Sequence, residues 1–125
     1  MIKGIGIDIV EISRIKFLYD KYGIRFAKKI LSNIEMDEFS KTQSPEYYLS
    51  KNFASKEALS KALGTGLYRN GVYPSKITVT HAETGKPFFL INGRLEKLLK
   101  NMSSTKLFLS ISDSNQHSVA MVVME

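Results

Sequence analysis

A chain of 125 residues is long enough for one hydrophobic core and too short for two. Hydrophobic residues make up 43% and charged residues 24%, ordinary for a globular domain, and no apolar run approaches the roughly 18 residues that span a bilayer. No cysteine is present for a disulfide or a thiolate, and 18 Lys and Arg against 12 Asp and Glu leave a net charge of +6. That balance suits a polyanionic partner, whether nucleic acid, a phosphate-rich ligand or an acidic protein, and does not choose among them.

With no internal repeat or low-complexity tract, residues 1–125 read as a single domain. The first residues lack the long apolar centre and small-residue cleavage site of a signal peptide, so the expectation is a cytoplasmic protein. Residues 2–10 predict a strand, with Ile5, Ile7 and Ile9 on one face and Gly4, Gly6 and Asp8 on the other. Residues 13–30 predict helix, broken near Gly23. Ile15, Leu18, Phe26 and Ile30 face a core, and Arg14, Lys16, Lys21, Arg25, Lys28 and Lys29 crowd the outside. Ser32-Asn33-Ile34-Glu35 is a capping box opening a short helix.

The longest helix is predicted at 46–63, after Ser44-Pro45. Leu49, Phe53, Leu59 and Leu63, with Ala54, Ala58 and Ala62, form its apolar side, and Gly64-Thr65-Gly66 ends it. Strands are predicted at 76–81 and 87–91 around a turn at Glu83-Thr84-Gly85-Lys86. A helix at 93–101 and a final hairpin of 106–112 and 118–124 complete the chain. The fold class is α+β, with mixed helices and largely antiparallel strands.

Three features carry chemistry. Asp8 is a carboxylate in an apolar strand, on the face of Gly4 and Gly6, where the missing side chains leave room for a ligand; alternatively it ends a strand paired to a lysine. Glu57 and Lys61 are four apart on one helix face, the spacing of an ordinary surface ion pair. That helix runs into Gly64-Thr65-Gly66, where backbone N–H groups could meet an anion, although the order is not that of a phosphate-binding P-loop. Asp8 and Glu57 together suit one hard cation such as Mg²⁺, which takes few carboxylates and completes its shell with water and phosphate. One lysine nearby suits a diphosphate. The only histidines, His81 and His117, are far apart, which disfavours zinc, and no glycine-elbow serine supports a hydrolytic triad.

Gly4-Ile5-Gly6-Ile7-Asp8-Ile9-Val10-Glu11-Ile12-Ser13-Arg14-Ile15 closely resembles the opening of holo-acyl-carrier-protein synthases, which are 4′-phosphopantetheinyl transferases. Phe53 to Gly66, with its Lys-Glu-Ala and Lys-Ala, resembles their second signature. Gly85-Lys86-Pro87 resembles the third, and Leu109-Ser110-Ile111-Ser112 the fourth. Each motif is weak alone; four in order span nearly the whole chain. The resemblance implies the small transferase domain of that family, which moves 4′-phosphopantetheine from coenzyme A to a serine of acyl carrier protein and releases 3′,5′-ADP, in fatty acid biosynthesis. It implies Asp8 and Glu57 as Mg²⁺ ligands and Lys61 as a contact to the coenzyme A phosphates. Gly64, Thr65, Gly66, Lys86 and Pro87 would border the nucleotide. Arg14 would dock the carrier protein, with Lys21, Arg25 and Lys28 helping to steer it. Glu35 matches a glutamate near the catalytic centre, a reading that stands beside its capping role. A homotrimer with active sites between subunits is expected, with no nucleic acid or membrane partner.

One position departs. The family usually has His after its Ser-x-Ser segment, and this chain has Asp113, which is anionic at neutral pH and would repel phosphate. Either Asp113 points away, or it binds a cation or water, or a lysine compensates. Three other readings compete: a transferase for polyketide or peptide-synthesis carriers, a basic nucleic-acid-binding module, and a non-catalytic nucleotide-binding protein. The first is disfavoured by the short chain. The second lacks aromatics interleaved with Lys and Arg on a predicted strand, and the third is disfavoured by the pair Asp8 and Glu57.

Overall fold

The computed structural model describes residues 1–104 and 106–125. Among these residues, five α-helices and five strands occur in the order β1 (Gly4–Glu11), α1 (Ile12–Tyr22), α2 (Ile24–Ile30), α3 (Asn33–Phe39), α4 (Pro45–Leu63), β2 (Val79–His81), β3 (Pro87–Phe89), α5 (Gly93–Asn101), β4 (Leu107–Asp113) and β5 (His117–Met124). The expected α+β class holds. β1, β5 and β4 form an antiparallel sheet with β5 in the middle, and β2 and β3 form a separate ribbon.

The sheet packs one face onto α4, whose sequence explains its central place. Pro45 begins it at a position where the missing N–H is no loss. Ala54, Ala58 and Ala62 let backbones approach closely. Ser50, Ser55 and Ser60 are wholly buried because each hydroxyl donates to a carbonyl of its own helix, those of Glu46, Lys51 and Glu57. Gly64 ends the helix at φ +78, a left-handed conformation glycine adopts without strain.

The two faces of β1 are used differently from the sequence reading. Gly4 and Gly6 leave no room for a ligand: α4 occupies that space, and a Cβ on Gly6 would lie 1.8 Å from the Ala58 carbonyl oxygen. The glycines exist so that strand and helix can touch. On the opposite face, Ile5, Ile7 and Ile9 are 64%, 59% and 63% exposed. They pair in register with Val123, Met121 and Val119 of β5, and Phe108 of β4 lies beyond on the same face. One side of the sheet is therefore core, and the other is an apolar surface open to water.

Two boundaries differ from expectation. Pro74–Lys76 is a 3-10 turn, because proline fixes the backbone there, so the strand expected at 76–81 shortens to β2. The return strand expected at 87–91 closes after Phe89. Ser32 and Glu35 form the expected capping box at α3.

Candidate active site

Asp8, Glu57 and Lys61 meet at the wall of one cleft of about 490 Å³, which Arg14, Phe26 and Phe53 also line. Asp8 reaches it because β1 alternates: the face that carries Gly4 and Gly6 under α4 emerges two residues on, at the helix edge. Lys61 does not fold back along its helix to Glu57. Its Nζ crosses to β1, donating to the Ile7 carbonyl at 2.9 Å and to Asp8 Oδ1 at 3.2 Å. Both partners sit 53 or more residues away, so the contact anchors α4 to the strand that carries Asp8.

The electrostatics fit a cation. Burial pushes the Glu57 carboxyl above its ordinary range, and the neighbouring Asp8 charge pushes it further, while Lys61 opposes both. Two oxygen-bearing side chains that repel each other at an open cleft are the donor set a hard divalent ion takes, and Mg²⁺ needs no more protein ligands than these. Among the described residues no group of three or more His, Cys, Asp and Glu side chains is placed to hold a metal ion, so an ion here would rest on the two carboxylates.

The remaining expected site residues are not all brought here. The amides of Gly64, Thr65 and Gly66 donate back into α4, to Lys61 O, Ser60 O and Ser60 O at 3.1, 3.1 and 3.3 Å. In this structure those amides finish the helix. Lys86 and Pro87 lie on the β2–β3 ribbon, where Pro87 pairs with His81, and line no part of the Asp8 cleft.

Glu35 is 1% exposed and also lies outside the cleft. Its Oε1 accepts from Ser32 N–H and from Lys56 Nζ, and its Oε2 accepts from Val79 N–H at 2.7 Å. With both oxygens bonded in the core it has no path to a proton in the cleft, and the capping reading is the one the structure supports. Its partner is the residue sequence reasoning missed. Lys56 is fully buried, and its other two donors go to Ile30 O at 2.6 Å and Pro74 O at 2.9 Å. Burial lowers the Lys56 pKa while Glu35 works to raise it. One ammonium thus joins α2, α3, α4 and the 3-10 turn. A signal existed: Lys56 lies seven residues from both Leu49 and Leu63, on the inward stripe of α4.

Asp113, the departure, is compensated. Lys51 Nζ lies 3.3 Å from its Oδ2, joining α4 to the end of β4. Arg14 is exposed at the cleft itself. Arg25 lines an adjoining groove with Leu18, Tyr22, Phe26 and Lys29, and Lys21 stands 5.3 Å from the centre of the Tyr22 ring. Lys28 is exposed beside them. A basic, aromatic-bearing strip therefore borders the carboxylate cleft. No described helix is long and apolar enough to cross a membrane.

Known proteins share this sequence and fold. Residues 4–122 match the 4′-phosphopantetheinyl transferase superfamily. The holo-[acyl-carrier-protein] synthase of Nitrosospira multiformis is 47% identical over 125 residues, covering 100% of this chain and 99% of that protein. The crystal structure of the Neisseria meningitidis synthase superposes with a TM-score of 0.94 at 42% identity, covering 100% and 99% of the two chains. A Bacillus anthracis synthase solved in complex with CoA (3′,5′-ADP) gives 0.81 at 35% identity, covering 99% and 96%. Sequence and fold agree over the whole chain, and the chain belongs to the 4′-phosphopantetheinyl transferase superfamily.

Proposed function

We propose that this chain is a holo-[acyl-carrier-protein] synthase that transfers 4′-phosphopantetheine from coenzyme A to a serine of apo-acyl carrier protein. The observation that carries this reading is the convergence of Asp8, Glu57 and Lys61 on one cleft beside a basic strip. The serine oxygen forms a bond to the phosphorus that bears pantetheine. The bond from that phosphorus to the bridging diphosphate oxygen breaks, and 3′,5′-ADP leaves. Asp8 and Glu57 would hold Mg²⁺, which when bound neutralises diphosphate charge as the bond breaks. The Lys61 ammonium, already oriented by Ile7 O and Asp8, has donor capacity left for a phosphate oxygen. Positioning and charge neutralisation supply most of the acceleration in such transfers. The serine proton passes to a water molecule in the open cleft, since Glu35 is enclosed elsewhere. Arg14, Lys21, Arg25 and Lys28 attract the acidic carrier.

The active assembly is a homotrimer. Its support is the apolar sheet face of Ile5, Ile7, Ile9, Met121 and Phe108, which water would otherwise cover. Lys86 and Pro87, which line no part of the Asp8 cleft within one chain, would complete a neighbour's nucleotide site. Two measurements test the reading. The mass of an apo-acyl carrier protein incubated with the enzyme, coenzyme A and Mg²⁺ should rise by one phosphopantetheine. Sedimentation should give three times the 14.1 kDa chain mass, and Ile7→Lys should lower it. An unmodified carrier, or a monomer, contradicts the corresponding part.

A further inference from the structure

The cleft is built from several elements. Asp8 comes from β1, Phe53, Glu57 and Lys61 come from α4, and Arg14, Leu18 and Phe26 bring in α1 and α2. In the proposed reaction the diphosphate belongs to β1 and α4. The carrier belongs to α1 and α2, where Arg14, Lys21, Arg25 and Lys28 are exposed. The separation of α2 from α4 therefore helps to set how far the attacking serine stands from phosphorus.

Apolar packing fixes that separation only loosely. α2 is seven residues long, its buried side chains are Ala27 and Ile30, and it meets α1 at Gly23, whose φ of +64 turns the chain between them. Contact of that kind is non-directional. Lys56 supplies a direction. Its Nζ donates at 2.6 Å to the carbonyl of Ile30, the last residue of α2, where a helix leaves acceptors unpaired and partly negative. Among the described residues no other hydrogen bond or ion pair joins α4 to α2. The remaining donations go to Glu35 of α3 and to Pro74 O at 2.9 Å, so the ammonium is held from three sides.

Stability alone does not call for this charge. Lys56 is 0% exposed and Glu35 1%, so both ions have left water, and apolar residues of similar volume in place of such a pair are often as stable or more so. What apolar residues do not supply is one defined position.

We propose that Lys56 is a positioning residue for the transfer: by pinning the end of α2 to α4 it holds the carrier-docking side of the cleft at a fixed distance from Glu57 and Lys61. This rests on the reading of the chain as a carrier-modifying transferase. Lys56 itself touches neither substrate. The β1 side of α4 is held separately, by the backbone contact of Gly6 with Ala58 and by Lys61 on Ile7 O, so binding of metal and diphosphate does not depend on Lys56.

The informative variant combines Lys56→Met with Glu35→Gln, which removes both charges and leaves neither one buried alone. Assayed well below its unfolding midpoint, it should show kcat lower by about tenfold or more. KM for coenzyme A, KM for the carrier and the calorimetric affinity for 3′,5′-ADP with Mg²⁺ should stay within about twofold of the parent. Glu35→Gln alone keeps the ammonium on Ile30 O and Pro74 O and should keep the parent's kcat. The chain has no cysteine, so Lys56→Cys placed in the Glu35→Gln background can be alkylated selectively under denaturant and refolded. Aminoethylation rebuilds an ammonium at lysine length and should restore kcat; propylation gives the same length without the charge and should not. The proposal is overturned if the double variant turns over at the parent's rate, or if Glu35→Gln alone loses as much as the double variant. It is overturned equally if the propylated protein matches the aminoethylated one, or if affinity for 3′,5′-ADP falls along with kcat. A parent protein that binds 3′,5′-ADP but modifies no carrier would overturn the transferase reading, and this role with it.

Discussion

Gly6→Ala should damage this protein out of proportion to the one methyl group it adds. The new Cβ would sit 1.8 Å from Ala58 O and 2.8 Å from Ala62 N, all backbone and none able to swing aside. Ordinary contact needs about 3.5 Å, so β1 and α4 must separate by roughly 1.7 Å. Overpacking of this kind costs about 1–3 kcal/mol, and the upper end applies where a central helix must move. The same displacement carries Asp8, two residues along β1, away from Glu57 and Lys61. A misplacement on the order of 1 Å reduces turnover by about 10²-fold. Urea denaturation measures the first effect and carrier modification the second. Gly23→Ala is the control: its φ is +64 and no atom lies within 4 Å of the new Cβ. It should lose stability through backbone strain and keep its turnover. If Gly6→Ala unfolds at the parent's midpoint with the parent's turnover, the account of β1 against α4 is wrong.

Lys56→Met should destabilise the fold by about 3–5 kcal/mol in chemical denaturation, because it leaves the buried Glu35 carboxylate uncompensated. Adding Glu35→Gln should recover part of that loss, and a strictly additive double variant would deny the coupling. Glu57 has a raised pKa in the fold, so its ionisation disfavours folding, and the stability linked to its protonation is lost as pH rises through that pKa. In metal-free protein Glu57→Gln should therefore be the more stable form at pH 7, with the advantage shrinking as pH falls toward 4. An advantage that does not change with pH refutes the assignment. The association rate with an acidic carrier should fall about tenfold or more from low to high salt, and a salt-independent rate would remove Arg14, Lys21, Arg25 and Lys28 from the docking account.

The sequence announced the elements more readily than their partners. Alternation at Ile5, Ile7 and Ile9 marked a strand, but a period of two does not say which face is inward. The glycine face is the buried one because α4 approaches within backbone contact, a tertiary fact with no local signature. Glu57 and Lys61 looked like a surface pair at i, i+4. The stronger partner of Lys61 is Asp8, which only the crossing of β1 under α4 brings near. Lys56 reads as surface by composition and is core by position, and its three acceptors come from segments scattered between Ile30 and Pro74. The strand expected from residue 76 was cut short by Pro74, whose ring favours a turn. Asp113 looked like a misplaced charge until Lys51 was found beside it.

The central claim is that Asp8 and Glu57 act together as the metal-dependent centre of transfer. Carrier modification by Asp8→Asn, followed by mass spectrometry across a Mg²⁺ titration, tests it most directly. The account predicts turnover lower by about 10²-fold or more, partly recovered only at Mg²⁺ concentrations far above those the parent needs. An Asp8→Asn enzyme with the parent's rate and the parent's Mg²⁺ dependence would contradict it.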